Sequence, residues 1–459
     1  MSREPSRWLG DAILAHVVLA SAAAELAIRE GYHRAAAEPA RVVLLAVGYL
    51  VVLALLAASR KLTAEPGRRR LQRSGVILAV GAAVYTLFGY ALATLLVGLP
   101  AVVRQGLIGA LVCAGLMAAA WAWRLGEASW ARWSRAIATA CVVFASSPVI
   151  YSMIHAPRFE WPPVSDGSPG PRRTATLFLL LDEMNASSAA PLVDVLRARG
   201  LDVASRAIAT VGYSTGKVVP EMFSGQRFDE AKPCSLTAIC SASQVLDFGR
   251  ITASRPDIDV VGFFHPYCAI QGLRWCERVA IRSALLDPER WRCAIWRRTG
   301  LPTDLPPAKC RGRYSHFWEA LIRDTIDALW RAPIWREGGL LFAHLPLPHP
   351  PGADPGGSLD SHYRHNLERA ARLLDAMLVR ARDADMELRV VIFSDHPLRQ
   401  AQWCSDYDAY VDMGCKPEPA LHDERVPLIV AGKRLPNLDD ITSNAQVFRL
   451  AARWGGVKP

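Results

Sequence analysis

The sequence predicts an N-terminal helical transmembrane bundle of about five spans, followed by a C-terminal α/β domain with a mainly parallel sheet between helices. Three observations predict this. Apolar residues make up 51% of the 459 and crowd into residues 1–155, which are dominated by Ala, Leu and Val; residues 156–459 have mixed composition. From residue 174 onward, strand-like and helix-like stretches alternate, as in a parallel sheet covered on both faces. The net charge of +10 is also uneven: 15 Lys+Arg face 7 Asp+Glu up to residue 155, and 38 face 36 beyond it. The excess therefore lies beside the apolar stretches, where it orients membrane segments, and nucleic-acid binding loses its main support.

The expected spans are 12–28, 42–58, 76–99, 106–123 and 136–152, each near the roughly 20 residues a bilayer requires. Four further apolar stretches follow the first, so a cleaved leader is not expected. The basic loops 59–74 and 124–135 stay inside if the N-terminus is inside, and five crossings then leave everything after Tyr151 outside. Trp121, Trp123, Trp130 and Trp133 cluster near one boundary, as an aromatic belt does. Within the first span, Glu25 and His16 are ionisable. Glu25 is either a contact for a lipid head group or an interface residue reaching water.

Residues 156–173 are rich in Pro, Gly and Ser and predict a linker, with the outer domain occupying 174–459. In that domain 174–181 predicts a strand, 189–199 a helix, 259–264 a strand, 316–330 a helix and 339–345 a strand. A long helix over 361–384, strands at 388–394 and 426–432, and a final helix over 442–454 complete the series. Eight cysteines lie outside the spans, in local pairs: Cys234 with Cys240, Cys268 with Cys276, Cys293 with Cys310, and Cys404 with Cys415. Without any CxxC pair, disulfides in an oxidising compartment are favoured over zinc clusters.

Four clusters sit just past strand ends, where parallel sheets bind ligands. They are Asp182-Glu183 after LFLLL, Ser214-Thr215 before a helix, His344 and His349 in HLPLPHPP, and Asp395-His396 in SDHP. Each alone has a structural explanation: turn carboxylates, a helix N-cap, ordinary loop histidines. Together they supply the oxygen and imidazole donors that suit zinc, beside a hydroxyl that the metal would activate.

The order and spacing of these clusters resemble the alkaline phosphatase and sulfatase superfamily, and most of all the lipid A phosphoethanolamine transferases. The segment TGKVVPEMFS (215–224) is similar to that family's nucleophile segment, with Thr215 five residues before Pro220. His344, His349 and Pro350 match its HxxxxHGP pattern, and Ser394-Asp395-His396 matches its SDHG. The resemblance implies an inner-membrane enzyme with a periplasmic catalytic domain and one or two Zn2+ or other divalent ions. It implies Thr215 as nucleophile, with Asp182 or Glu183, Thr215, Asp395 and His396 as metal ligands. His344 and His349 would be catalytic, and His349 would face the transferred phosphate or a second metal. His422 would correspond to the family's last histidine, and Lys416 or His265 would reach the phosphate. The implied partners are a membrane phospholipid donor and an envelope glycan or lipid acceptor, served by a monomer.

The chain also departs from the pattern. Gly212 and Glu221 stand where the family's paired cysteines flank the nucleophile, and Pro397 replaces the Gly after the Asp-His pair. The implied substrate preference therefore differs, and no formylglycine CxPxR or SxPxR motif is present. Two other readings remain open at this level: an ester hydrolase using water as acceptor, and a non-catalytic domain that binds envelope polymers.

Overall fold

The computed structural model describes residues 14–24, 28, 31–32, 39–61, 66–67, 69–79, 127–162, 174–229, 231–241, 244–279, 307–354, 356–406, 410–411 and 413–453. The chain divides into two compact units. One comprises Met1–Gly31, Ala35–Tyr151 and Ser283–Pro306; the other comprises Tyr32–Arg34, Ser152–Arg282 and Pro307–Pro459.

In the first unit, α1 (Pro39–Lys61) coincides with the second expected span. Among its described side chains Val47, Leu50, Val51 and Leu53 are exposed. The fifth expected span falls on α2 (Glu127–His155). Among the described residues no helix is long and apolar enough to cross a membrane. The side chains of α1 are described only between Ala46 and Ala58, and residues 80–126 lie outside the described set, as does Glu25. The five-span bundle therefore rests on sequence composition alone.

The second unit carries twelve short strands among its described residues: β1 (Phe159–Trp161), β2 (Thr174–Asp182), β3 (Val203–Ala209), β4 (Lys232–Pro233), β5 (Ala238–Cys240), β6 (Val245–Asp247), β7 (Ile251–Ala253), β8 (Ile258–Gly262), β9 (Trp275–Arg278), β10 (Gly339–Pro348), β11 (Glu387–Ser394) and β12 (Arg425–Gly432). Seven form one sheet in the order β3-β12-β11-β2-β10-β8-β9. From β11 through β9 every neighbouring pair is parallel. The strands β12 and β3 are added antiparallel at one edge. The sheet is thus mixed, parallel at its centre, as the alternation of strands and helices predicts.

Alternation along β2 explains the layers. Leu177, Leu179 and Leu181 join a core with Leu192 and Leu196 of α3 (Ala190–Ala198), Ile322 and Leu329 of α5 (Pro307–Arg331), and Leu374 and Leu378 of α6 (Leu359–Asp383). Phe178 and Leu180 point to the opposite face, into an aromatic core with Trp161, Phe223, Phe342, Phe393 and Phe448. Phe223 belongs to α4 (Thr215–Ser224), the helix that begins at the expected nucleophile.

The linker expectation fails for its first residues. β1 pairs with β7, and Trp161 is buried and stacked on Phe223 with ring centroids 4.7 Å apart. Proline and serine content concealed one large aromatic side chain whose burial outweighs the local turn signals. The final expected helix is also broken, into a 3-10 turn at Asn444–Gln446 and a short helix at Arg449–Arg453. Disulfides join Cys234–Cys240, Cys268–Cys276 and Cys404–Cys415. The expected partner pair Cys293 and Cys310 is not described, since Cys293 lies outside the described residues.

Candidate functional site

Sheet register brings the two key carboxylates together. β2 and β11 run parallel with Leu181 opposite Ser394, so the next residue on each strand, Asp182 and Asp395, leaves the same sheet edge. Adjacent strands lie about 4.8 Å apart, which sets the carboxylates side by side. β10 flanks β2 on the other side, and its register shifts between Leu345 and Pro348 as the chain leads into His349.

Asp395 is fully buried and held from several directions. Its Oδ1 accepts backbone N–H bonds from His396 (2.8 Å) and Glu183 (3.2 Å), and its Oδ2 accepts the Thr215 hydroxyl at 2.7 Å. Asn444 donates to the carbonyls of both Asp395 (2.5 Å) and Ser394 (3.2 Å), clamping the strand end. Ser214, not Thr215, takes the N-cap position of α4. The Thr215 side chain is thereby left for Asp395, which removes the N-cap explanation.

His396 Nδ1 lies 3.1 Å from the Pro397 carbonyl. A carbonyl only accepts, so Nδ1 carries the proton and Nε2 presents a lone pair. That Nε2 is buried without a hydrogen-bond partner, 3.3 Å from Asp395 Oδ2. Asp182 Oδ1 is likewise buried and unpartnered. Donor atoms of Asp182, Asp395 and His396 all lie within 4.8 Å of one another. Burial, and then the charges of Asp395 and Glu183, push the Asp182 carboxyl well above its ordinary range. Burial also acts upward on Asp395, but the His396 and His344 imidazoles and the Thr215 hydroxyl bring it below its ordinary value. A lone pair facing a carboxylate oxygen beside a second buried carboxylate is costly unless a cation joins them. Two carboxylates, one imidazole and an adjacent hydroxyl fit a tetrahedral zinc site.

Glu183 does not share that cluster. Its φ of 60° turns the chain after β2, and its carboxylate accepts from Arg399 Nε at 2.5 Å and Trp403 Nε1 at 2.6 Å. Of the two carboxylates left open by sequence, Asp182 is the one whose oxygen joins the donor atoms of Asp395 and His396.

His349 is buried, stacked on Trp318 with centroids 4.1 Å apart, and its Nε2 is 3.9 Å from Glu183 Oε2. Its carbonyl is fixed by Trp318 Nε1 (3.1 Å) and Asn366 Nδ2 (2.9 Å), and its Nδ1 has no partner. His344 Nδ1 lies 2.9 Å from the Tyr267 hydroxyl, with Nε2 buried and unpartnered. Burial lowers both imidazoles to about 4 against the pull of nearby carboxylates, so both are neutral at pH 7.

Three other expected residues are not brought to the cluster. His265 is buried with both ring nitrogens engaged, Nδ1 2.9 Å from the Tyr32 hydroxyl and Nε2 3.1 Å from the Thr215 carbonyl, so neither reaches outward to a phosphate. His422 is exposed on the loop before β12, where a 3-10 turn at Pro419–Leu421 sends it to solvent. Lys416 is exposed beside the Cys404–Cys415 bridge and lines a surface pocket with Asp360, Tyr410 and Glu418. Sequence reasoning missed Arg399, Trp403, Asn185 and Asn444. The first two bind Glu183; Asn185 accepts from Leu398 N (2.7 Å) and donates to the Leu421 carbonyl (2.6 Å). Their one visible signal was position, within a few residues of the Asp-Glu or Asp-His pair for three of them; Asn444 had none.

No family model and no curated protein sequence matches the chain. Solved structures similar to it include the lipooligosaccharide phosphoethanolamine transferase A of Neisseria meningitidis, an integral membrane protein. That pair shares 11% identity with a TM-score of 0.38, over 90% of this chain and 91% of that one. The lipoteichoic acid synthase LtaP of Listeria monocytogenes shares 11% identity with a TM-score of 0.34, over 62% of this chain and 72% of that one. The periplasmic domain of EptC from Escherichia coli, in complex with Zn, shares 10% identity with a TM-score of 0.28, over 62% and 84%. All three are members of the alkaline phosphatase and sulfatase superfamily. At these identities and TM-scores the likeness carries no argument for function, which rests on the side chains of the site.

Proposed function

We propose that the protein is a membrane-bound, zinc-dependent phosphotransferase that moves a phospho-head group, of phosphoethanolamine or phosphoglycerol type, from a membrane phospholipid to an envelope glycan or lipid. One observation carries this reading: the Thr215 hydroxyl sits 2.7 Å from Asp395 Oδ2, at the edge of a buried cluster whose Asp182, Asp395 and His396 donor atoms lie within 4.8 Å of one another. Zinc held by these residues would lower the pKa of the hydroxyl and offset charge on the phosphoryl oxygens.

Thr215 Oγ1 attacks the phosphorus of the lipid phosphodiester. Its hydrogen bond to Asp395 Oδ2 orients the lone pair and gives the proton a place to go. The bond from phosphorus to the diacylglycerol oxygen breaks, diacylglycerol leaves with a proton, and Thr215 carries the phospho-head group. A hydroxyl of the acceptor then attacks the same phosphorus and restores Thr215. His344 and His349, neutral and each with one unpartnered ring nitrogen, serve the phosphoryl oxygens, and the proton that Asp395 takes from Thr215 is the one that leaves with diacylglycerol. Five spans with a cytoplasmic N-terminus would put this domain on the outer side of the membrane, where the donor diffuses in two dimensions. Disulfides in the described part of the domain support an oxidising compartment outside the cytoplasm.

Mass spectrometry of the purified protein incubated with phospholipid vesicles tests the reading. Thr215 is expected to carry a head-group phosphodiester, and Thr215→Ala is expected to lose both adduct and transfer. Full transfer by Thr215→Ala sinks the proposal; release of free head-group phosphate without any acceptor would make the protein an ester hydrolase.

A further inference from the structure

We infer that Tyr32 and His265 form a positioning relay that fixes the backbone of the nucleophile segment. Tyr32 lies 233 positions before His265, yet it is fully buried in the same compact unit. The Thr215 carbonyl can only accept, so His265 Nε2, 3.1 Å away, carries the imidazole proton in the neutral ring. Nδ1 is then the acceptor, and the Tyr32 hydroxyl donates to it at 2.9 Å. The chain of bonds therefore runs in one direction, from Tyr32 O–H to His265 Nδ1 and from His265 Nε2–H to the Thr215 carbonyl.

The two rings are held so that this direction persists. They meet edge to face at 90°, with centroids 5.7 Å apart, and Phe248 stacks on the imidazole at 5.6 Å. Arg278 Nη2 donates to the Tyr32 carbonyl and ties its backbone to the end of β9. Thr215 opens α4, and its carbonyl and its side chain hang from the same Cα, so a bond that anchors the carbonyl limits the drift of the Cα that carries Oγ1 toward Asp395. Such constraint matters because small misplacements of a reacting atom cost rate far more than they cost stability.

The inference rests on Thr215 as nucleophile, and Tyr32 and His265 act through it as positioning residues. Tyr32→Phe keeps the ring and deletes one hydroxyl; His265→Gln keeps a side-chain N–H that can reach the carbonyl, and His265→Leu does not. In the full-length protein, Tyr32→Phe is expected to lower kcat about fivefold, the equivalent of roughly 1 kcal/mol for one lost hydrogen bond. KM should stay within about twofold, because the relay does not touch substrate. His265→Gln should retain most of the activity that His265→Leu loses. Hydrogen exchange of peptides covering 213–219 should quicken about fivefold in Tyr32→Phe and in His265→Leu, with protection of β2 and β11 unchanged.

Unchanged exchange over 213–219 in Tyr32→Phe overturns the relay, as does a kcat equal to the parent's, or exchange that quickens throughout the domain. If the parent turns over no phosphodiester at all, the proposed function falls, and the local exchange still decides the relay alone.

Discussion

Asp182 and Glu183 are neighbours in the chain, yet a φ of 60° at Glu183 sends their carboxylates to different partners. Asp182 joins Asp395 and His396, while Glu183 is drawn to Arg399 and Trp403. Left-handed backbone at a non-glycine residue is uncommon and persists where surrounding bonds over-determine it. Here Glu183 N–H donates to Asp395, and Met184 N–H donates to the Ser394 hydroxyl at 2.9 Å. Burial acts to raise the Glu183 carboxyl, but Arg399 and the His349 and His396 imidazoles hold it below its ordinary value, so it is ionised. Arg399→Met should therefore leave a buried charge uncompensated and cost about 3 kcal/mol in denaturant unfolding. Adding Glu183→Gln to that variant should recover most of the loss; a double variant as unstable as the single would refute the pairing. The spacing of LFLLLDE left either carboxylate as the ligand, because one backbone torsion decides between them and no pattern in the sequence encodes it.

At the scale of elements, strand ends were legible and their supports were not. Runs such as LFLLL and VVIF announce buried parallel strands, and polar residues directly after them mark the ligand edge. β1 was hidden because three residues in a Pro-rich stretch show no periodicity, although Trp161 fills the aromatic core against Phe223. Trp161→Ala should accordingly cost about 3–5 kcal/mol, measured by chemical unfolding; a cost near zero would restore the linker interpretation. α6 offers a second test. His362 is buried on it, with Nδ1 2.8 Å from the Tyr410 hydroxyl and Nε2 2.5 Å from the Asp354 carbonyl. Burial lowers its pKa, against the pull of Asp354 and Glu319 and with a push from His365. The unfolded chain, with its histidine near pKa 6.5, then takes up the proton more readily than the native state. Stability owed to the neutral ring is full above pH of about 6.5 and is lost as pH falls toward the lower folded value. His362→Gln should flatten that part of the melting-temperature profile, and an unaltered acid slope would count against it.

Taken as a whole molecule, the second unit gathers its site from three strands that are distant in sequence. Asp182 ends β2, Asp395 follows β11, and His349 follows β10, with Thr215 brought in by α4. The convergence was legible because parallel strands must present the same end together. His422 and Lys416 are not brought to the cluster for the converse reason: loop residues past the sheet edge have no register to fix them, and both are exposed to solvent. A cation gripped by β2 and β11 would tie together groups that repel one another without it, so metal binding should appear as global stability. Zinc at about 100 times its dissociation constant should add roughly 2.7 kcal/mol, raising the melting temperature by a few degrees for a domain of this size. Dialysis against a chelator should reverse the gain. Asp182→Asn removes the crowded negative charge as well as a ligand atom, so its metal-free form should be at least as stable as the metal-free parent while gaining little from zinc. Equal stabilisation of parent and Asp182→Asn by zinc would show that the metal binds elsewhere, and the cluster at the end of the central strands would lose its meaning.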